Sequence, residues 1–394
     1  MPRAPVVARP TTTVVAVGIL LAASLAALKV LPVPFAWISL LWGLGLCARA
    51  ARDRPGLARH LLFGAGGVML AFGAAEAALA ATAPPPVLLE LTPRYDMPDS
   101  LLGWRLRPGV VAHGVERVGD STIYDVTYTV DSAGRRIAPP ELDTGAAACV
   151  LFFGDSFTFG KGVADTAALP YRVGVATGGR VRVVNFGVPA YGPQQTLAAL
   201  ERGTLEPPAA CRPTHIIYQA LAHDVLRAAR RLDADRYTPR YAIGDDGALR
   251  FLGTLHPDVP RPMGERLAER VVEQLRKSSA YRALSDREPS PSPADLRLYL
   301  AIIRRFRADL AERYPQADFH VLLWVRHGYS DGVATMRDDL LKITPHVHVV
   351  DDLLPGYDRH PERYVLHPRE QLANSLTYQV LSAFVADSII GRTS

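Results

Sequence analysis

The chain has little cysteine, methionine or tryptophan, with three, five and four residues among 394, and its basic residues are nearly all arginines. Cys47, Cys149 and Cys211 fall at no metal-ligand spacing, so a cysteine-held metal site is excluded. The arginines are scattered singly or in helical pairs, and no RNA- or DNA-binding motif accompanies them. The net charge of +5 therefore points to anionic lipid or envelope polymer rather than to nucleic acid. Nothing in the pattern implies a metal or an organic cofactor. Long apolar runs are missing after about residue 84, and most of the 48% hydrophobic content lies before it.

Those early runs cover residues 11–28, 33–48 and 61–81, the last interrupted only by Glu76. A bilayer core needs about 20 apolar residues, so residues 1–83 read as an anchor of three transmembrane helices. Two further runs directly behind the first argue against a cleaved signal peptide. Arg3 and Arg9 precede the first span, and Arg49, Arg52, Arg54 and Arg59 fill the loop between the second and third. Positive charge is retained on the cytoplasmic side, so both segments are expected there. Everything after about Pro84 is then exported, on the periplasmic or outer face of the plasma membrane. Glu76 is expected near the outer end, snorkelling or contacting a helix. Gly66, Gly67 and Gly73 suggest close helix packing.

The rest of the chain is organised around residues 149–162, CVLFFGDSFTFGKG. The apolar run 150–153 has no helical period and reads as a buried parallel strand that stops at Gly154-Asp155-Ser156. Open α/β sheets place their chemistry just beyond such strand ends, which puts the Ser156 hydroxyl at the mouth of a crevice. Thr158 occupies the last glycine position of a G-x-S-x-G elbow, so this is not the α/β-hydrolase arrangement. Here the chain resembles the SGNH (GDSL-type) hydrolases, whose first block is this Gly-Asp-Ser with the serine as nucleophile. The bland alternative is that Ser156 only caps the following segment.

Further strands are expected at 181–185, 214–220, 319–325 and 347–350, with a closing helix over 371–390. The resemblance extends along them. Asn185-Phe186-Gly187-Val188-Pro189-Ala190-Tyr191-Gly192 looks like the second block, whose glycine offers a backbone N–H to an oxyanion. Gly192 aligns best and Gly187 is the runner-up. Leu221-Ala222-His223-Asp224 stands where the family has Gly-x-Asn-Asp, so His223 replaces the second oxyanion donor. The last block implies His367-Pro368, close before the closing helix, as the base. Tyr364 occupies the place of the orienting aspartate, which leaves Asp351, Asp352, Asp358 or a backbone carbonyl for that role, and His360-Pro361 is the rival histidine. A Leu-Gly-Trp at 102–104 and the stretch YTVDSAGRR at 128–136 resemble the leader of bacterial envelope members.

Residues 84–148 are expected to form a linker and a small β-rich leader, including a strand over 124–130. Residues 149–394 are expected to form a flavodoxin-like three-layer α/β/α domain of about five parallel strands. An insertion at about 225–317 adds a hairpin around Gly244-Asp245-Asp246-Gly247 and helices over 265–284 and 294–314, separated by a break at 289–293. In a flavodoxin-like strand order Cys149 and Cys211 begin neighbouring strands, close enough for a disulfide although Cys211 is a few residues early in register, which leaves open whether the two are bonded. The resemblance implies a membrane-tethered serine esterase acting on acyl, above all O-acetyl, esters of envelope glycan or lipid. An O-acyltransferase working with a separate acyl-donating membrane partner is one alternative. A catalytically silent glycan-binding module is the other.

Overall fold

The computed structural model describes residues 11–31, 34–139, 148–255, 263–285, 290–325 and 335–391. Arg3 and Arg9 of the topology argument and Pro289 of the expected break lie outside them. The chain divides into two compact units, Met1–Pro85 with Pro260–Glu288, and Pro86–Val259 with Pro289–Ser394.

In the first unit the apolar runs form the helices Thr11–Val30, Pro34–Arg52 and Leu57–Thr82. Three spans were expected. Among the described residues two helices, Pro34–Arg52 and Leu57–Thr82, are long and apolar enough to cross a membrane, whereas the described side chains of the first helix begin at Ile19 and make too short a stretch. Gly66 and Gly73 let those two helices approach closely. A Cβ at Gly66 would stand 2.9 Å from the Gly43 carbonyl oxygen, and one at Gly73 would stand 3.0 Å from that of Ala36. Gly67 faces open space and has no such role. Glu76 is fully buried. Its carboxylate accepts from the Ser278 hydroxyl and from the backbone N–H groups of Ser279 (2.8 Å) and Ala280 (3.1 Å), so it caps the helix Ser279–Ser285. This break at Ser278 divides the helix expected over 265–284 into Met263–Leu275 and Ser279–Ser285.

The second unit opens with five short strands: β1 (Val87–Thr92), β2 (Asp96–Asp99), β3 (Gly103–Leu106), β4 (Val111–Val118) and β5 (Ser121–Thr129). They form an antiparallel sheet ordered β1-β4-β5 and a separate β2-β3 pair. There follow β6 (Ala148–Phe153), β7 (Arg182–Asn185), β8 (Arg212–Leu221), the hairpin β9 (Pro239–Ile243) and β10 (Leu249–Thr254), then β11 (Asp318–Trp324) and β12 (Val347–Val349). The main sheet is ordered β12-β11-β8-β6-β7 with every neighbour parallel. Counted along the chain this is 2-1-3-4-5, a doubly wound order whose switch point lies between β6 and β8. The helices Leu169–Ala176 and Ser375–Phe384 pack together, as do Pro193–Glu201, Asp224–Ala228 and Pro293–Arg313, and these two groups make the flanking layers. Covered on both faces, β6 is apolar at every position from Cys149 to Phe153 and buried throughout that run.

Cys149 and Cys211 are joined in a disulfide with their Cα atoms 5.5 Å apart, at the amino ends of β6 and β8. The bond closes a loop of 62 residues. In the chain-entropy model such a loop contributes ~4 kcal/mol by restricting the unfolded chain. Thiol titration of unreduced, unfolded protein should find only Cys47 free, and Cys211→Ser should lower the urea midpoint by a corresponding amount. Three titratable thiols would show that the pair is not joined.

Candidate functional site

The chain leaves β6 through Gly154, whose φ of +145° belongs to glycine, and a Cβ there would stand 2.4 Å from Thr158 Oγ1. Asp155 follows as the cap of the short helix Ser156–Phe159, its Oδ1 accepting from the Phe157 N–H at 2.9 Å. Ser156 is half-buried, and its hydroxyl donates to Asp155 Oδ2 at 3.3 Å. The serine thus sits beyond the carboxyl end of the central strand, at the switch point, as its place in the sequence predicts.

The loop that follows is held from below by Arg136, which is 1% exposed. Its guanidinium donates to the carbonyls of Phe159 (2.6 Å), Gly160 and Val163 (2.7 Å) and to Asp165 Oδ1 at 3.0 Å. The Tyr128 and Phe159 rings lie 4.9 and 4.8 Å from its Cζ. Burial lowers its pKa, and Asp165 opposes that shift. This gives the leader stretch YTVDSAGRR a physical role: Asp131 Oδ1 accepts from Ala133 and Arg135 N–H to build a turn that delivers Arg136 under the serine loop.

Ser156 opens on a cavity of about 360 Å³ whose wall includes Trp104, Lys161, Ala190, Arg227 and Glu370. Trp104, from the Leu-Gly-Trp of the leader, donates from Nε1 to the Pro189 carbonyl at 3.1 Å, and Tyr191 donates its hydroxyl to the Trp104 carbonyl at 2.6 Å. Lys161 lies 2.7 Å from the buried Glu116 and 3.7 Å from Glu370. Burial raises the Glu370 pKa, and Lys161 opposes the rise. On the other side Arg227 Nη1 donates to the Ala190 carbonyl at 2.7 Å, and its guanidinium stands 3.9 Å from Asp224 and 3.7 Å from Asp235. Burial raises the pKa of Asp155, and Arg227 is the main influence against it; Asp224 is raised by burial and by Asp155. Asp235 is pushed up to about 6 by burial.

The other expected site residues are placed less favourably. His223 follows β8 and accepts at its carbonyl from the Leu226 and Arg227 N–H groups, at the start of the helix Asp224–Ala228. Burial, aided by Arg227, depresses its pKa from 6.5 to about 4, so it is a neutral ring. The Gly192 N–H donates to Gln195 Oε1 at 3.0 Å, and the Gly187 N–H donates to Asn185 Oδ1 at 2.9 Å. Both amides are thus committed within their own loops. His367 Nδ1 accepts from the Arg369 N–H at 3.2 Å, which leaves the neutral ring's proton on Nε2. The closing helix begins only at Ser375, because Gln371 has φ +49° and Asn374 caps the helix by accepting from the Thr377 N–H. His367 therefore stands farther from the helix than the expected start at 371 implied. Neither His367 nor His223 is among the side chains lining the cavity, whereas Glu370 is. Tyr364 is buried and donates to the Pro355 carbonyl at 2.6 Å. His360 is exposed beside Glu362, Asp352 and Asp358 are exposed, and Asp351 lies in the first turn of the helix Val350–Leu353.

Three cavity residues went unassigned in the sequence. Lys161 lies inside the 149–162 stretch itself, Arg227 follows Asp224 by one turn, and Glu370 follows His367 on the same loop. The clue available was charge within a few residues of each block.

No family model and no curated protein matches the chain. One solved structure, a carbohydrate esterase whose active site is described as displaying divergent catalytic and non-catalytic binding functions, aligns over 79% of this chain and 99% of its own, at 10% identity and a TM-score of 0.35. A likeness at that score carries no argument about what this chain does.

Two substitutions test the electrostatics. Arg136→Met strips a donor from three carbonyls and removes the cation beside Asp165, which keeps only the Thr129 N–H on Oδ1, so it should cost about 3–5 kcal/mol in urea unfolding. A loss below ~1 kcal/mol would show that the loop holds without it. His223 stays neutral in the folded protein down to pH 4, while the unfolded chain takes up a proton below pH 6.5. Its contribution is therefore complete above pH 6.5 and is lost as the pH falls towards 4. Relative to His223→Asn, the wild type should lose up to about 3 kcal/mol across that window. A pH-independent difference would place the imidazole in water.

Proposed function

We propose that this chain is a serine esterase of the SGNH type, tethered to a membrane and acting outside the cytoplasm on acylated envelope glycan or lipid. The observation that carries the proposal is the half-buried Ser156 hydroxyl at the switch point of a doubly wound sheet, opening on a cavity lined by Arg94, Lys161 and Arg227 and by the Tyr95 and Trp104 rings. Ser156 would attack the acyl carbon and release the sugar or lipid hydroxyl, and water would then cleave the acyl-serine. Since the Gly187 and Gly192 amides are committed elsewhere, Arg227 and Lys161 are the groups on the cavity wall that would face developing negative charge. The arginine loop between the two described spans supports export of the domain.

The base role falls to His367 in this proposal. Nδ1 must give up the Arg369 N–H before the ring can accept a proton from Ser156, which makes rearrangement of the closing loop part of the cycle. Glu370 already lines the cavity, and its raised pKa gives it the rival claim. The second reading is a binding module without turnover. What favours it is that His367 and both loop glycines are engaged in bonds of their own.

Fluorophosphonate labelling of the purified full chain separates the readings. Labelling that disappears in Ser156→Ala is the expected result, and no labelling of folded wild type would leave the binding module. With an acetylated sugar ester as substrate, His367→Ala should reduce turnover by about 10²–10⁴-fold and Glu370→Gln by less. The reverse order would move the base to Glu370.

A further inference from the structure

At the end of the main sheet opposite Ser156, β8, β11 and β12 bring together three of the chain's eleven histidines, with His346 just before β12. His215 on β8 pairs in register with Asp318 on β11, His320 lies two residues further along β11, and His348 on β12 pairs with Leu322. Side chains alternate along a strand and register partners share a face, so His215, Asp318, His320 and His348 all project from the same side of the sheet. One ligand atom from each of His215, Asp318 and His320 lies within 4.8 Å of the other two.

His320 is 6% exposed, and its two nitrogens are unequal. Nδ1 stands 3.2 Å from His348 Nε2, while its own Nε2 is buried and has no hydrogen-bond partner. The ring also stacks on His346 at 4.5 Å between centroids. An orphaned buried polar atom carries a desolvation penalty that native structures rarely leave uncompensated. His215 engages Thr214 Oγ1 through Nδ1 at 3.0 Å, and the Ile389 carbonyl also faces its ring.

We infer that His215, Asp318 and His320 form a divalent transition-metal site, with zinc the best match, that clamps the amino ends of β8 and β11. Two imidazoles and a carboxylate are the nitrogen and oxygen donors zinc accepts, with water completing a tetrahedron. The His320–His348 contact suits such a ligand: in the tautomer whose Nδ1 donates to His348 Nε2, His320 Nε2 is unprotonated and free to bind the ion. Metal–ligand bonds of about 2.0–2.2 Å require the three atoms to close to roughly 3.4 Å from one another, a shift that side-chain rotation supplies. The site lies at the opposite strand ends from Ser156, so its role is to hold the sheet and not to activate water for the serine.

The test uses the full chain, tag-free, purified in detergent and stripped with a chelator. Titration calorimetry with Zn²⁺, backed by elemental analysis after dialysis, should give one ion per chain and a raised thermal midpoint, with Mg²⁺ producing neither. Asp318→Asn changes an exposed residue and should leave the fold intact while abolishing stoichiometric binding. His348→Phe should weaken binding about 10- to 100-fold. Absence of stoichiometric Zn²⁺ in the wild type would overturn the assignment. So would unchanged binding in Asp318→Asn and His320→Gln, because the ion would then sit elsewhere.

Discussion

The nucleophile loop depends on one buried cation. Arg136 has four of its acceptors within the loop that follows Ser156, and three of these are backbone carbonyls in irregular structure with no ladder to satisfy them. A guanidinium presents its donors in a rigid fork, which suits several carbonyls converging from one loop, and the Tyr128 and Phe159 faces cover its plane. Removing it would take that donor from the Phe159 and Val163 carbonyls and leave the Gly160 carbonyl only the Val163 N–H at 3.4 Å. The β-rich leader therefore positions the serine loop as well as preceding it. The same leader reaches the cavity wall through Trp104, so the two stretches that flank β4 and β5 in sequence meet the serine from below and from the side.

Around Ser156 the charge balance is uneven. Asp155, Asp224 and Asp235 all face the Arg227 guanidinium, Arg230 also acts on Asp235, and burial raises all three carboxyl groups. Burial disfavours the charged form of each, and the neighbouring guanidinium groups oppose that shift. On the far side of the cavity Lys161 stands between Glu116 and Glu370, one cation to two acids. The serine is thus flanked by carboxyl groups whose pKa burial raises, Asp155 on one side of it and Glu370 on the cavity wall. This arrangement suits a site that moves protons, and it also suits recognition of a polar ligand by fixed charge.

The apolar runs, the Gly-Asp-Ser turn and the order of the strands along the chain were legible in the sequence, because each depends on residues within one element. The exit at Gly154 and the burial of β6 follow from that local pattern plus a parallel sheet of known order, which also puts Cys149 and Cys211 on neighbouring strands but leaves their joining to the structure. The hydrogen-bond commitments were not legible. Whether the Gly192 amide is free depends on the rotamer of Gln195, and whether His367 has its proton on Nε2 depends on the path of the chain to Arg369. The start of the closing helix at Ser375 depends on the left-handed backbone at Gln371, which nothing in its side chain announces.

By itself, then, the sequence determined which residues are apolar enough to be buried, where strands stop, and which hydroxyl is left at a strand end, since these are properties of short stretches. Tertiary structure alone decided that Arg136 lies beneath the loop of Ser156, that Glu370 and not His367 lines the cavity, and that His215, Asp318, His320 and His348 share a face. Each of these juxtapositions depends on the register between elements tens of residues apart. In a sheet a shift of one residue turns every side chain to the other face, so local patterns cannot specify them.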